Sequence, residues 1–190
     1  MKFLTKGLLF PVLLSGLLLP AQRSLAAVDM FLKLVDSNGQ VIEGESTDKQ
    51  HAKEIVALSF SQGMSVAISA PSGGGGSTAG KASFSDLAIT KITDKATPLL
   101  YLYAAQGKHL QQAVLTIRNS GATPFEFYRI TLTDVIISGV QTSGSSGGDR
   151  PAESLTLNFV KIEWRYVPQN PDGSAGTPIV TTWDLATNTP

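Results

Sequence analysis

The sequence predicts an all-β fold, a barrel of two sheets flanked by one short α-helix. Apolar and polar residues alternate with a period of two in several short segments, which is the pattern of strands buried on one face. The 18 glycines and 10 prolines among 190 residues supply turn residues between these segments. These observations favour about seven to nine short strands joined by turns over a helical bundle.

The alternating segments recur from residue 30 to residue 166. Two of them, 124–138 and 152–167, are long enough to bend across both sheets, as closure of a small barrel requires. We therefore expect a closed or nearly closed barrel. The apolar positions are Met30, Leu32 and Leu34; Val56, Leu58 and Phe60; Met64, Val66 and Ile68; Leu87 and Ile89; Ala113, Leu115 and Ile117; Tyr128, Ile130 and Leu132; Leu155, Leu157 and Phe159; and Ile162, Trp164 and Tyr166.

One segment breaks the strand pattern and predicts the helix. Thr97 can cap it, Pro98 suits its first position and Gly107 can end it. Since so short a helix is marginal alone, Leu99 and Tyr103 are expected to pack on the barrel. The predicted helix face is formed by Leu99, Leu102, Tyr103 and Gln106. Segments 71–80, 138–151 and 168–178 are predicted to be adaptable loops.

The first 26 residues predict a cleavable secretory signal peptide. Lys2 and Lys6 precede an apolar run at 8–19, and the small residues Ser24 and Ala26 place cleavage after Ala26. A helix needs roughly 20 apolar residues to cross a bilayer, so a stable membrane anchor is not expected. The sequence therefore predicts a signal peptide at 1–26 and one domain at 27–190.

The predicted mature domain has a balance of charges that excludes one class of partner. Without the leader, 12 basic and 15 acidic residues remain. Nucleic-acid-binding domains carry a strong basic excess, so no nucleic-acid partner is expected.

Two short patterns suggest catalysis or nucleotide binding, but each lacks a residue or second motif that the activity requires. Gly75–Lys81 spells G-x-x-x-x-G-K, but Ala82 stands where a phosphate-binding loop needs Ser or Thr, and the following residues alternate as in a strand. Ser46–Lys49 spells S-x-x-K, but the chain has no K-T-G, so a surface turn is expected. No cofactor and no catalytic residue are predicted.

The histidines and aromatic residues give weaker indications. His51 and His109 have no metal-ligand spacing and are expected to be polar surface or interface residues, so no metal site is predicted. Trp164 lies on an alternating strand, which favours packing, whereas Trp183 is open to either role. An alternative function is therefore a secreted monomeric β-sandwich that binds a glycan or a protein.

The ordered set of short motifs resembles the Hcp family, the tube proteins of type VI secretion systems, over about residues 27–185. No single group is decisive, but their order and spacing are specific. The groups are Asp29, Phe31, Leu32 and Lys33; Gly44 to Lys49 with His51; Gly80, Lys81, Ser83 and Phe84; Asp94, Lys95, Thr97 and Pro98; Tyr128, Ile130, Leu132 and Asp134; and Trp183 with Asp184.

The resemblance implies a barrel similar to that of bacteriophage tail-tube proteins. It further implies homohexameric rings that stack into a hollow tube, a spike protein and effector proteins as further partners, and no enzymatic activity. A candidate subunit-interface arm lies in the glycine-rich segment, because glycines permit close docking on a neighbouring subunit or the next ring. Its residues are Pro71, Ser72, Gly73, Gly74, Gly75, Gly76, Ser77, Thr78, Ala79 and Gly80.

The leader departs from the pattern of the family, whose tubes are built in the cytosol and expelled by a contractile sheath. We therefore expect export by the general route to the periplasm or the outside of the cell, where the protein would form rings or filaments. The alternative localisation is the cytoplasm, with export by the type VI machinery.

Overall fold

The computed structural model describes residues 27–69, 77–121 and 123–190. The predicted signal peptide and residues 71–76 of the candidate subunit-interface segment 71–80 lie outside these described residues. The described chain forms ten strands and one helix. They are β1 (Val28–Asp36), β2 (Val41–Ile42), β3 (Ile55–Ser61), β4 (Met64–Ser69), β5 (Thr78–Phe84), β6 (Leu87–Ile92), α1 (Thr97–Gln106), β7 (His109–Asn119), β8 (Phe125–Ser143), β9 (Ala152–Tyr166) and β10 (Ile179–Asp184).

Six antiparallel strands close into a barrel in the order β9-β6-β3-β1-β7-β8, because β9 pairs with β6 on one side and with β8 on the other. Leu155 of β9 shows this directly, since it lies opposite Ile89 of β6 and Val140 of β8. The far half of β9 pairs with β10, where Trp183 lies opposite Ile162. The structure confirms the all-β barrel, its closure and the two long strands that the sequence predicts.

The core fills the barrel with the inward residues of the alternating segments. Leu32, Leu34, Leu115, Leu132 and Leu157 have no exposed surface. Burying each such side chain stabilises the fold by about 1.5–3 kcal/mol. The period-two pattern thus identified the inward positions of β1, β7, β8 and β9. On β3 it was wrong, because Ile55 and Ala57 face the core and Val56 and Leu58 are exposed.

Helix α1 packs on the barrel, as the sequence predicts, but its cap and its buried face differ from the prediction. Thr97 is the first helical residue and Ala96 is the N-cap, with no side-chain capping bond. Leu100 is fully buried and Leu99 and Tyr103 pack on the core, whereas Leu102 is 48% exposed. The predicted face included Leu102. The face that meets the barrel instead contains Leu100 together with Leu99 and Tyr103, so the prediction for Leu102 was wrong.

Gly107 ends the helix in the left-handed conformation, with φ at 59°. This confirms the predicted terminus, since glycine adopts positive φ without a Cβ penalty. No helix in the described part of the chain is long and apolar enough to cross a membrane.

Two of the predicted loops are partly strand. Residues 138–143 extend β8 along β9, with Gln141 opposite Ser154, and Thr78, Ala79 and Gly80 belong to β5. Polar and glycine-rich composition suggested loops there, but backbone ladder bonds do not require apolar side chains. Segment 168–178 does contain a loop, closed by a bridge between Gln169 and Ala175.

Candidate assembly surface

Strands β4 and β5 form a two-stranded ribbon, hereafter the arm. They pair antiparallel from Met64 opposite Phe84 to Ser69 opposite Thr78, and within the described chain they belong to no other sheet. An isolated two-stranded ribbon is marginally stable in water, so the arm needs a further contact to be held in place.

The root of the arm is fixed to the barrel by hydrogen bonds and aromatic contacts. The backbone N–H of Gly63 donates to the Ser85 hydroxyl at 2.9 Å, and the backbone N–H of Ser85 donates to the Gly63 carbonyl at 2.9 Å. The Phe84 ring centroid lies 6.1 Å from that of Trp164 and 6.4 Å from that of Trp183. Both tryptophans therefore serve packing, which disfavours the alternative of a sugar-binding module built on Trp183.

The two faces of the arm differ in chemistry. On β4, Met64, Val66 and Ile68 point to one side, and their partners on β5 are Phe84, Ala82 and Ala79. The other side carries hydroxyl residues, with Ser65 opposite Ser83 and Ser69 opposite Thr78.

The apolar side of the arm is exposed to solvent at Met64, next to the root, and at Ile68, towards the other end of β4. Ile68 is 72% exposed and Met64 is 55% exposed. Exposed apolar surfaces of this kind often bind another molecule, so this side of the arm is a candidate contact surface.

The structure locates only part of the segment that the sequence singled out. Ser77 precedes β5, Thr78, Ala79 and Gly80 lie within β5, and the remaining six residues lie outside the described chain. Gly80 has a local role, because a Cβ there would lie 3.2 Å from the carbonyl oxygen of Ala67 across the ribbon. The alternation of Met64, Val66 and Ile68 is visible in the sequence, but the sequence does not show that this side of the ribbon is exposed.

A second exposed apolar surface, hereafter the β3 groove, lies on the outer face of β3. Val56 is 45% exposed and Leu58 is 52% exposed. They separate two open depressions of about 510 and 240 Å³, which share Val56, Leu58 and Glu45 in their linings. The rim of the groove is charged, with Asp29, Glu45, Asp48 and Asp94 among the carboxylates and Arg118 and Arg150 among the cations.

The loop before β3 borders this groove and is held by a buried arginine. The Arg118 guanidinium donates to Asp48 and to Asp29, with side-chain exposures of 6% for Arg118 and 23% for Asp48. The hydrogen bonds from Arg118 lower the pKa of Asp48 from 3.8 to about 2, against the opposing effect of burial. Arg118 thereby fixes the S-x-x-K segment, in which Ser46 Oγ accepts from the backbone N–H of Asp48.

His51 belongs to the same loop and is buried, so its predicted surface placement was wrong. Its ring stacks on Phe31 with centroids 4.3 Å apart, and its Nδ1 lies 2.9 Å from Glu54. A single histidine in a polar stretch carries no sequence signal for such stacking. His109, by contrast, is exposed on β7 and pairs with Asp134 at 2.6 Å, which confirms its predicted surface placement.

Among the residues that the structure describes, no group of three or more His, Cys, Asp or Glu side chains is arranged to hold a metal ion. Lys81 of the G-x-x-x-x-G-K pattern lies on β5, so no helix N-terminus follows it as a phosphate-binding loop requires.

The closed barrel therefore carries two unlike apolar surfaces, the arm and the β3 groove. Head-to-tail contacts between copies of one chain join unlike surfaces, so a closed barrel of this kind fits the class of tube-building proteins. Residues 31–166 match the family model described as type VI secretion system effector, Hcp. The chain belongs to the Hcp family.

Similar proteins agree with this assignment. The protein hcp1 of Pseudomonas aeruginosa is 46% identical over 164 residues, covering 85% of this chain and 98% of its own length. A structure of a type six secretion system protein has 37% identity and a TM-score of 0.79, covering 86% of this chain and 99% of its own. Hcp1 of Salmonella typhimurium has 34% identity and a TM-score of 0.68, covering 86% of this chain and 98% of its own.

Proposed function

We propose that this protein is a structural subunit of a type VI secretion system tube, assembled from copies of itself into hexameric rings that stack into a hollow tube. The observation that carries the proposal is the arm, whose apolar face is uncovered within the described chain. A contact between the arm of one copy and a different surface of the next repeats around a ring, and it closes when the rotation permits.

We propose that the glycine-rich segment 71–80 takes part in this contact and reaches a neighbouring subunit or the next ring. Its glycines allow close backbone approach, and the cost of ordering them is offset only on assembly. The exposure of Ile68, near the end of β4 that precedes this segment in the chain, supports such a contact.

The role is that of a conduit and carrier and not of an enzyme. The two patterns that suggested chemistry have local structural roles, since Ser46 holds the turn at Asp48 and Lys81 lies on the arm. Spike and effector proteins are the partners of a tube of this kind, at its tip and in its lumen.

The leader suggests a second route of export, in which the chain leaves the cytosol through the general pathway and is cleaved after Ala26. In the comparison with the Pseudomonas aeruginosa protein, almost the whole relative aligns with 85% of this chain. The unmatched 15% is close to the share of the predicted leader, which is 26 of 190 residues. An intact domain with an added leader accounts for both lengths.

Electron microscopy and native mass measurement of residues 27–190 test the assembly. Six-subunit rings, alone or stacked, are the expected result. A single-subunit mass at every concentration would contradict the proposal.

A further inference from the structure

We propose that His51 is a pH-sensitive latch, which in its protonated form ties the β2–β3 loop, residues 43–54, to the start of β8 through Glu126. The observation behind it is a buried imidazole whose two nitrogens each face a carboxylate. The inference goes beyond the proposed function and does not depend on assembly.

The imidazole of His51 is held between two carboxylates. Its ring is stacked on that of Phe31, with centroids 4.3 Å apart and planes 5° from parallel, and only 6% of its side chain is exposed. Nδ1 lies 2.9 Å from Glu54 Oε2, and Nε2 lies 3.4 Å from Glu126 Oε1. Burial and stacking together fix the ring, so that each nitrogen stays directed at an acid.

Only the imidazolium form satisfies both contacts. A neutral imidazole carries one N–H, so when Nδ1 donates to Glu54, the bare Nε2 turns its lone pair towards Glu126. Within the described chain, Nε2 is buried and has no aligned hydrogen bond, and the neutral form leaves it without a partner. The opposite tautomer places the lone pair against Glu54 instead. Protonation supplies the second N–H, and Glu126, with 30% of its side chain exposed, has room to close on it.

Two guanidinium groups and four carboxylates surround His51, and this excess of negative charge attracts a positive charge on the imidazole and offsets part of the cost of burying it. Arg118 of β7 already serves two of the carboxylates and Arg129 of β8 serves a third. Glu54 has no ion-pair partner other than His51 in the described chain. The carboxylates are those of Asp29 on β1, Asp48 and Glu54 in the loop, and Glu126 on β8.

The β2–β3 loop folds back on itself, so a change at His51 affects the whole of it. The backbone N–H of Ser46 donates to the Glu54 carbonyl at 3.0 Å, and that of Lys53 donates to the Ser46 carbonyl at 2.8 Å. The same loop lines the β3 groove through Glu45 and Ser46. Because histidine changes charge between pH 5 and 8, the latch couples pH to the order of the loop and to the rim of the groove.

Amide hydrogen exchange of the mature chain at about pH 5.5 and about pH 8 tests the latch, once the pH dependence of chemical exchange is corrected for. The chain has only two histidines, His51 and His109, to change charge in this range. We expect the amides of residues 44–54 to be protected at least about fivefold more at the lower pH, the lower limit for a buried polar atom that gains its partner.

Two variants identify the groups responsible. Glu126→Gln removes the acid that the second N–H meets, so it should abolish the pH dependence. Its partly exposed side chain lies outside the core, and slow exchange in β7 and β9 of each variant shows that the barrel is intact. His109→Gln, at an exposed pair with Asp134, is the matched control and should keep the wild-type pH dependence. Equal protection at both pH values in the wild type, or an undiminished pH dependence in Glu126→Gln, overturns the latch.

Measurements at two protein concentrations separate a change in the loop from a change in assembly, because only assembly depends on concentration. A pH-dependent loop in a chain that never assembles supports the latch and contradicts the proposed tube. Rings whose loop is equally protected at both pH values overturn the latch and leave the tube standing.

Discussion

Replacing Lys91 by Met is expected to destabilise the barrel strongly, because it leaves a buried carboxylate without its cation. The Lys91 ammonium donates to Glu153 at 2.7 Å and to Thr97 at 3.2 Å and lies 2.9 Å from Asp94. The side chains of Lys91 and Glu153 have no exposed surface. The network joins β6 to β9 and to the first residue of α1.

Removing one partner of a buried ion pair costs about 3–5 kcal/mol. We expect the lower part of this range, since Glu153 keeps hydrogen bonds from Thr97 at 2.8 Å and from Thr142 at 3.2 Å. With a urea dependence of about 1–3 kcal/mol per molar, the midpoint of unfolding falls by about 1–3 M. Met has nearly the shape of the lysine stem, so no large cavity contributes.

Urea unfolding of the mature chain, followed by the fluorescence of Trp164 and Trp183, measures this loss. Unfolding curves measured at two protein concentrations separate the loss of folding stability from an effect on assembly, because only assembly makes the midpoint depend on concentration. Adding Glu153→Gln to Lys91→Met should recover at least half of the loss, because an amide needs no cation. Lys53→Met, at an exposed pair with Glu43, is the control and should change stability by less than about 0.5 kcal/mol. A loss below about 1 kcal/mol for Lys91→Met, or no recovery in the double variant, would refute the reasoning.

Three further predictions concern the loop, the leader and the arm. Because the pKa of Asp48 is lowered, the stability that this carboxylate contributes is complete above its ordinary pKa of 3.8 and is lost as the pH falls towards about 2. In the Asp48→Asn variant, the free energy of unfolding should therefore depend less on pH between pH 4 and 2. An unchanged pH profile would contradict this. N-terminal sequencing of native protein should begin at Ala27 in a periplasmic or extracellular fraction, whereas intact Met1 in the cytosol rejects export by the general route. Deleting residues 72–77 should weaken or abolish rings and tubes in electron micrographs, and unchanged assemblies remove the glycine segment from the interface.

The barrel was predictable because its inward positions follow the period of the strand. Leu32, Leu115 and Leu157 each occupy an alternating position, and each is fully buried. The helix was harder, since ten residues allow more than one choice of face, and the barrel selected Leu100 over Leu102. Tertiary contact, and not the intrinsic pattern of the helix, made that choice.

The candidate assembly surface was only partly predictable. Glycines drew attention to the segment 71–80, but the candidate assembly surface is defined by the pairing of Ile68 with Ala79, which depends on a register that the sequence does not state. The β3 groove was not predicted, because the alternation of Val56, Leu58 and Phe60 assigned these residues to the buried side. Both sides of β3 carry apolar residues, and only the barrel shows that Ile55 and Ala57 face the core. Burial of His51 likewise depends on Phe31, 20 residues away.

Native mass measurement of the mature chain, combined with electron microscopy of the same sample, tests self-assembly most directly. We predict a six-subunit species that appears as rings and that dissociates when Ile68 is changed to Asp. A single-subunit mass across the whole concentration range, with no rings in the micrographs, would contradict the account.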